Sequence, residues 1–170
     1  MTDPGSIDSG STEPVVISRV VDLDVSTDEL WTMVADGDRW SDWLAEQSDV
    51  IVEPDRSGVV VDDDGIERGV AIHSVVPGER VRFAWWPTDR PGESSMVELV
   101  VLPGGHSGRS RLSITEIYAA GAGAPSIGAT SAWTAVSSAS ASSARAANSA
   151  WDLRLMLLVL CLDAVALVRT

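Results

Sequence analysis

The sequence predicts an α+β fold in which a curved antiparallel sheet wraps around one long C-terminal helix. The last stretch, residues 149–169, contains no Gly or Pro and repeats its apolar residues at helical spacing. Short segments rich in β-branched residues, separated by turn residues, follow one another between residues 50 and 118, as in an antiparallel meander. A strand-like segment and two short helical patterns precede them. The expected order is therefore strand, two short helices, meander and long helix.

The terminal helix is apolar on nearly all sides. One stripe at helical spacing comprises Trp151, Leu155, Leu158, Leu162 and Val165. The opposite side carries Leu153, Leu157, Leu160, Ala164 and Leu167. A helix of this kind is buried around most of its circumference or lies in a membrane. Because the uninterrupted apolar run 155–162 is far shorter than the ~20 residues that a span needs, we expect a buried helix and no membrane span.

The first third of the chain is expected to form one strand and two short helices. Residues 15–25 (VVISRVVDLDV) are typical of a strand with its odd-numbered residues on one face. Ser26 and Glu29 form the capping-box pattern that starts a helix. The core-facing residues of this helix are Leu30, Trp31 and Val34. The DGD sequence at 36–38 ends it, and residues 39–46 predict a second helix that buries Trp40, Trp43 and Leu44.

The meander is predicted from alternation and turn residues. Strands are expected at 50–53, 59–62, 70–76, 81–86, 96–102 and 109–118. Asp64-Gly65 and Pro77-Gly78 supply turns between them. The parity of the strands directs a set of side chains toward the terminal helix, namely Phe83, Trp85, Val97, Leu99, Leu112 and Ile114.

Two segments fall outside this pattern. Residues 1–13 are polar and acidic and predict a disordered tail, so that 14–170 would form a single domain. Residues 119–148 are a low-complexity Ala/Ser/Gly insertion without a clear period. This insertion is either a flexible loop or, in its second half, a backward extension of the terminal helix, because Ala favours helix.

Composition and charge narrow the functional classes. The chain has a formal net charge of -13 and no Lys, a balance that repels phosphate backbones and predicts no nucleic-acid partner. Cys161 is the one cysteine and the chain has two His, so we expect neither a disulfide nor a metal site. We also expect no cofactor. The N-terminus has no signal-peptide pattern, which favours a cytoplasmic protein. Arg as the only cation, with abundant Ala, Val and Asp, is typical of a high-GC or salt-adapted bacterium.

Several local motifs make the prediction more specific. They are VVDLDVSTDELW at 20–31, the DRW…W pattern at 38–43, GVAIHSVVPGERVRFAW at 69–85, SMVELVVLPGGHSGRSRLSITEI at 95–117, and Ala150-Trp151. Together they resemble the START-like (SRPBCC) superfamily, which has the helix-grip fold, in its branch named after the C-terminal domain of the activator of Hsp90 ATPase. Two departures from the family pattern are the length of the 119–148 insertion and Ala150 in place of the usual Gly.

The resemblance implies a ligand site between the sheet and the terminal helix, since members of the superfamily bind lipids, sterols or polyketides there. The hydrophobic walls would be Phe83, Trp85, Val97, Leu99, Leu112, Ile114, Trp151, Leu155 and Leu158. The alternative is that Phe83 and Trp85 are plain core residues and that the space is filled by the protein's own side chains.

His73 and Glu116 are the candidate polar contacts. Because both faces of the strand around His73 are apolar, this side chain either points inward or is an exposed histidine without a role in the site. Glu116 shares the parity of inward Leu112 and Ile114 but stands near the end of its strand. It is therefore either exposed at the edge of the sheet or a buried carboxylate that needs a partner. Arg68 and Arg111 are candidates for that role.

Three functions remain open at the level of sequence. The first is non-catalytic binding of a small hydrophobic or aromatic molecule. The second is an enzyme of the polyketide cyclase or aromatase type, in which His73 or Glu116 would move protons. The third is a protein-interaction domain like that of the Hsp90 activator, for which a homodimer through the terminal helix is one form. No catalytic motif is present in the sequence, which favours the first.

Overall fold

The computed structural model describes residues 14–106, 108–118 and 141–168, and in the last of these ranges it describes the side chains of residues 150–164. The elements in chain order are β1 (Val15–Leu23), α1 (Thr27–Ala35), a 3-10 helix (Gly37–Asp42), β2 (Gln47–Asp49), β3 (Ser57–Val61), β4 (Glu67–Val76), β5 (Arg80–Pro87), β6 (Ser95–Pro103), β7 (Ser110–Tyr118) and α2 (Ala141–Val168). The predicted element order is confirmed.

The seven strands form one antiparallel sheet in the order β1-β7-β6-β5-β4-β3-β2. Each strand of the meander pairs with the next, and β1 closes the sheet by pairing with the last strand, β7. One face of this curved sheet packs against α2 and the two short helices, and the core lies between them. The architecture is the α+β helix-grip arrangement that the sequence predicted.

The start of α1 follows directly from its sequence. The Ser26 side chain accepts a hydrogen bond from the Glu29 amide at 3.2 Å, and the Glu29 carboxylate accepts one from the Ser26 amide at 3.1 Å. This capping box satisfies two of the amides that a helix leaves unpaired at its N-terminus. Leu30 and Val34 are buried as predicted, whereas Trp31 is half-buried.

The second helix differs from the prediction for residues 39–46. It is a 3-10 helix over Gly37–Asp42 that begins earlier because the Asp36 side chain accepts a hydrogen bond from the Asp38 amide at 3.1 Å. The predicted burial of the two tryptophans holds. Their indole N–H groups donate to carbonyls at the end of α1, Trp40 to Val34 at 2.9 Å and Trp43 to Met33 at 3.2 Å.

The predicted strand at 50–53 is wrong. The strand lies earlier, at Gln47–Asp49, and the chain then turns, with the Glu53 amide donating to the Ile51 carbonyl at 2.9 Å. Asp55 has a φ of 63°, a left-handed conformation that ends an extended segment. The remaining strands agree with the predicted ones within three residues at each end.

The long helix α2 begins at Ala141. Residues 141–148 of the low-complexity insertion therefore extend the terminal helix backwards, which is the second of the two alternatives predicted for the insertion. Residues 119–140 lie outside the described part of the chain. The predicted stripe of Trp151, Leu155, Leu158 and Leu162 is buried, and Val165 is outside the described side chains. No helix among the described residues is long and apolar enough to cross a membrane.

The prediction that the terminal helix is buried around most of its circumference is wrong. Leu153, Met156 and Leu160 are 41%, 54% and 57% exposed. The reason is geometric, because a single sheet covers one side of a helix only.

Gly37 allows a close contact that any side chain would prevent. A Cβ at this position would meet the Val50 carbonyl oxygen at 1.7 Å, whereas a Cβ at Gly92 would meet nothing within 4 Å. We predict that Gly37→Ala lowers the free energy of unfolding by about 3 kcal/mol, because the clash is with backbone and forces the two segments apart. Urea denaturation measures the change. Gly92→Ala is the control and should stay within about 0.5 kcal/mol of the wild type; equal losses would contradict the contact.

Candidate functional site

The candidate site lies where β7 ends, and the register of the sheet assembles it. Glu116 on β7 is opposite Val97 on β6 and Ile17 on β1. Two residues further along, Tyr118 is opposite Ser95, and Ser95 is opposite Trp85 on β5. These inward-facing side chains therefore gather under the first part of α2.

Glu116 is the centre of this group and is only 2% exposed. Its Oε1 accepts hydrogen bonds from Ser95 Oγ at 2.5 Å and from Trp85 Nε1 at 2.9 Å. Its Oε2 accepts one from Trp151 Nε1 of α2 at 2.6 Å, and the Tyr118 hydroxyl also donates to the carboxylate. An ionised carboxylate has about four acceptor positions, so these four donors satisfy it without water.

Asp62 is the second buried carboxylate and joins two arginines. Its Oδ1 accepts from Arg154 Nη2 on α2 at 2.8 Å, and its Oδ2 accepts from Arg68 Nε on β4. Asp62 and Arg154 are each 5% exposed, whereas about a quarter of the Arg68 side chain is exposed. The result is a largely buried ion cluster that links the β3–β4 turn, β4 and the helix.

Two tryptophans separate the ion cluster from Glu116. The rings of Trp85 and Trp151 are stacked, with centroids 5.8 Å apart. The Arg154 guanidinium carbon is 4.8 Å from the Trp85 centroid and 5.1 Å from the Trp151 centroid, and that of Arg68 is 5.2 Å from Trp85. Each indole thus donates its N–H to a carboxylate and offers its face to a cation, which is the favourable orientation of both interactions.

The aromatic residues fill the space between sheet and helix. Phe83 is 4.9 Å from Trp40 and 5.7 Å from Trp85, measured between ring centroids. All the predicted hydrophobic wall residues are buried, with at most 8% exposure: Phe83, Trp85, Val97, Leu99, Leu112, Ile114, Trp151, Leu155 and Leu158. The structure thus brings together the predicted walls and Glu116.

His73 is not part of this site. It lies at a bulge in β4, where Ile72 pairs with Phe83 and Ser74 with Arg82, so His73 has no partner on β5. The extra residue points its side chain to the exposed side of the sheet. Partial desolvation and then the charge of Arg82 lower the pKa of His73, against a raising effect of Asp55. Of the two positions that the sequence allowed for His73, the structure has the exposed one, so His73 is not a polar contact of the site.

Four residues of the site were not predicted from the sequence: Ser95, Tyr118, Asp62 and Arg154. Ser95 and Tyr118 share the inward parity of Val97 and Glu116, and that parity could have identified them. Arg154 lies within the apolar stripe of α2, and a charged residue on a buried stripe is a signal for a buried partner. Asp62 carried no such signal, because it stands in the acidic run of a turn.

Neither of the two arginines that the sequence suggested as partners of Glu116 pairs with it in the described structure. Arg68 belongs to the ion cluster and contacts Trp85. Arg111 instead pairs with Asp22 at 2.7 Å on the exposed side of the sheet. Tryptophan, serine and tyrosine donors take the role that the sequence analysis gave to an arginine.

A separate open hollow of about 400 Å³ lies at the other end of the sheet. Its lining includes Ser26 and Thr27 at the start of α1 and residues of the β6–β7 turn such as His106 and Arg109. Because β6 and β7 run the length of the sheet, this hollow is far from Glu116.

Solved structures share this architecture at low sequence identity. DynU16, a protein in the dynemicin biosynthetic locus, is 17% identical with a TM-score of 0.63, over 87% of this chain and 47% of DynU16. CalU16 from Micromonospora echinospora is 14% identical with a TM-score of 0.60, over 91% and 88% of the two chains. XoxI from Bacillus cereus is 12% identical with a TM-score of 0.66, over 89% and 97%. The fold is a helix grip.

The likeness concerns the fold alone at these identities. This helix-grip chain spans about half the length of DynU16. No protein-family model matches the chain, and no curated protein matches it.

Tyr118 is the one tyrosine of the chain, and its ionisation can therefore be followed directly. Burial raises its pKa, and the charge of Glu116 and the hydrogen bond to it raise it further. We predict that tyrosinate absorbance does not develop near the ordinary value of about 10 while the protein is folded. Above about pH 10 the unfolded chain loses this proton and the native protein keeps it, so the free energy of unfolding should fall as pH rises. A native titration with an ordinary midpoint would contradict the contact.

Glu116→Gln tests the carboxylate itself. The amide keeps the shape but turns an N–H₂ group toward donors, which leaves buried hydrogen-bonding groups unpaired. We expect the free energy of unfolding to fall by about 3 kcal/mol in urea denaturation. Glu98→Gln is the matched control on β6, because Glu98 is half-buried and its oxygen is 3.8 Å from Arg80. The control should lose less than about 1 kcal/mol, and a similar loss in both variants would refute the central role of Glu116.

Proposed function

We propose that the protein binds a small apolar or aromatic molecule between the sheet and α2. The observation that supports this most is the wall of contacting rings, Trp40, Phe83, Trp85 and Trp151, which meets a fixed polar cluster. A mostly aromatic wall with a few oriented polar groups is the usual composition of a small-molecule site. We propose the predicted residues as its lining, with His73 excluded.

Ligand entry then requires a movement, because the rings contact one another. Three polar contacts tie the described part of α2 to the sheet: Trp151 to Glu116, Arg154 to Asp62 at 2.8 Å, and Arg19 Nε to Asp152 Oδ1 at 2.7 Å. The last contact is exposed and weak. A small shift of α2 that separates Trp151 from Trp85 would open a slot lined by two indole faces.

Two further considerations support a ligand-binding role. The sequence motifs resemble the START-like superfamily, in the branch named after the C-terminal domain of the Hsp90 activator. We propose that the protein is a member of this branch. The fold is shared with DynU16, a protein in the dynemicin biosynthetic locus. The ring faces of Trp85 and Trp151 make an aromatic molecule the ligand class that we propose.

The contacts of Glu116 favour binding over catalysis. A general base needs a free acceptor position within reach of the proton that it removes. All acceptor positions of Glu116 are taken by Ser95, Trp85, Trp151 and Tyr118. The cyclase-like alternative would need one of these donors to leave.

A protein-interaction role is the second candidate. Leu153, Met156 and Leu160 follow one another on the outer face of α2 and are exposed. An apolar row of this kind is typical of a surface that meets another protein, including a second copy of the chain.

Native mass spectrometry of the freshly purified protein tests the proposal. We expect an additional mass that is lost on denaturation, and we expect the emptied protein to bind 2-acetonaphthone, measured by calorimetry. Phe83→Leu should weaken this binding roughly fivefold, because it removes a wall ring without touching a hydrogen bond of Glu116. Trp31→Leu, which changes a half-buried ring on α1, is the control and should not. A dimer with no bound mass and no probe binding would support the interaction candidate instead.

A further inference from the structure

Arg154 is the group that the proposed function leaves unexplained. Its Nε is buried and makes no hydrogen bond within the described part of the chain. The whole residue is 5% exposed and its guanidinium lies against the faces of Trp85 and Trp151. A buried N–H without an acceptor is costly, and this one belongs to the wall between sheet and helix.

We infer that Arg154 Nε is the recognition point for a neutral carbonyl oxygen carried by an aromatic ligand. The inference rests on the proposed function and specifies its ligand class. The aromatic part of such a ligand would stack on the indole pair, while its oxygen would accept the Nε–H.

The charges around Arg154 select a neutral acceptor over an anion. Asp62 already holds Nη2 of the same planar guanidinium at 2.8 Å, so an oxygen at Nε lies within a few ångströms of a carboxylate. Asp62 and Glu116 together balance the charges of Arg68 and Arg154. With the net charge of -13 added, a carboxylate ligand would meet repulsion at both short and long range.

Glu116 does not compete for this role. It accepts hydrogen bonds and donates none as a carboxylate, so it cannot bind a carbonyl oxygen. Ser95 and Tyr118 already direct their hydroxyl groups to it. Among the fully buried donor atoms of the described site, Arg154 Nε is the one without a hydrogen bond.

Three probes of nearly equal shape test the inference by calorimetry: 2-acetonaphthone, 2-isopropenylnaphthalene, which has CH₂ in place of the oxygen, and 2-naphthoate. We expect the ketone to bind about tenfold more tightly than the alkene, because the hydrogen bond is to a charged donor. Naphthoate should bind most weakly of the three, and its affinity should rise with salt concentration, because salt screens the long-range repulsion.

Arg154→Met should abolish the preference for the ketone and keep binding of the alkene, since Asp62 retains Arg68 as a partner. Arg90→Met is the matched control, because Arg90 is exposed and pairs with Glu93 at 2.8 Å; the preference should persist there. If Arg154→Met does not fold, the nitrogen-15 chemical shift of Arg154 Nε is measured in the wild-type protein. We expect this chemical shift to change when the ketone is added and to stay the same when the alkene is added.

The outcomes separate the two proposals. Equal affinity for ketone and alkene would overturn the role of Arg154, with a water molecule satisfying Nε, and would leave small-molecule binding intact. Tightest binding of naphthoate would overturn the neutral ligand class. No binding of any probe, together with no co-purified mass, would overturn both proposals.

Discussion

The buried carboxylate of Glu116 is the constraint on which the rest of the structure depends. A charge removed from water is tolerated only where donors replace the solvent, and here the donors come from three strands and α2. Each donor must hold its position for the carboxylate to be satisfied. Glu116 therefore fixes the angle at which α2 meets the sheet, which apolar packing alone leaves adjustable because it has little directional preference.

The tryptophans extend this constraint to the second carboxylate. Trp85 and Trp151 place their N–H groups on Glu116 and their faces against Arg154, which in turn pairs with Asp62. Opposite charges thus alternate across the core with an aromatic layer between them. Donation of the indole N–H to a carboxylate makes the ring more electron-rich, so the two interactions strengthen each other. Removing either carboxylate would leave charges on the other side without compensation.

The sequence predicted the order of elements and the capping box at Ser26, because each depends on local periodicity or short spacing. For Glu116, strand parity was compatible both with an inward position, which the structure has, and with exposure at the end of the strand. Prediction from the sequence failed where tertiary contacts determine the position or the burial of a side chain. The bulge that turns His73 outward has no local signature in an apolar strand, and the exposed side of α2 reflects how much of the helix one sheet can cover. Asp62 and Arg154 are 92 residues apart, and nothing in their sequence neighbourhoods indicates that they meet.

The contacts that fix α2 are also the ones that a ligand must disturb, which couples stability to binding. In the closed arrangement the stacked indoles occupy the place where an aromatic ligand would lie. Apparent affinity is then the intrinsic affinity reduced by the population of the open arrangement. A ligand that stacks on the indoles regains the aromatic contact, and one that offers an oxygen to Arg154 Nε adds a hydrogen bond that the closed protein lacks. Selectivity therefore arises from the bond that only the right ligand forms, since the stacking energy merely restores what opening removed.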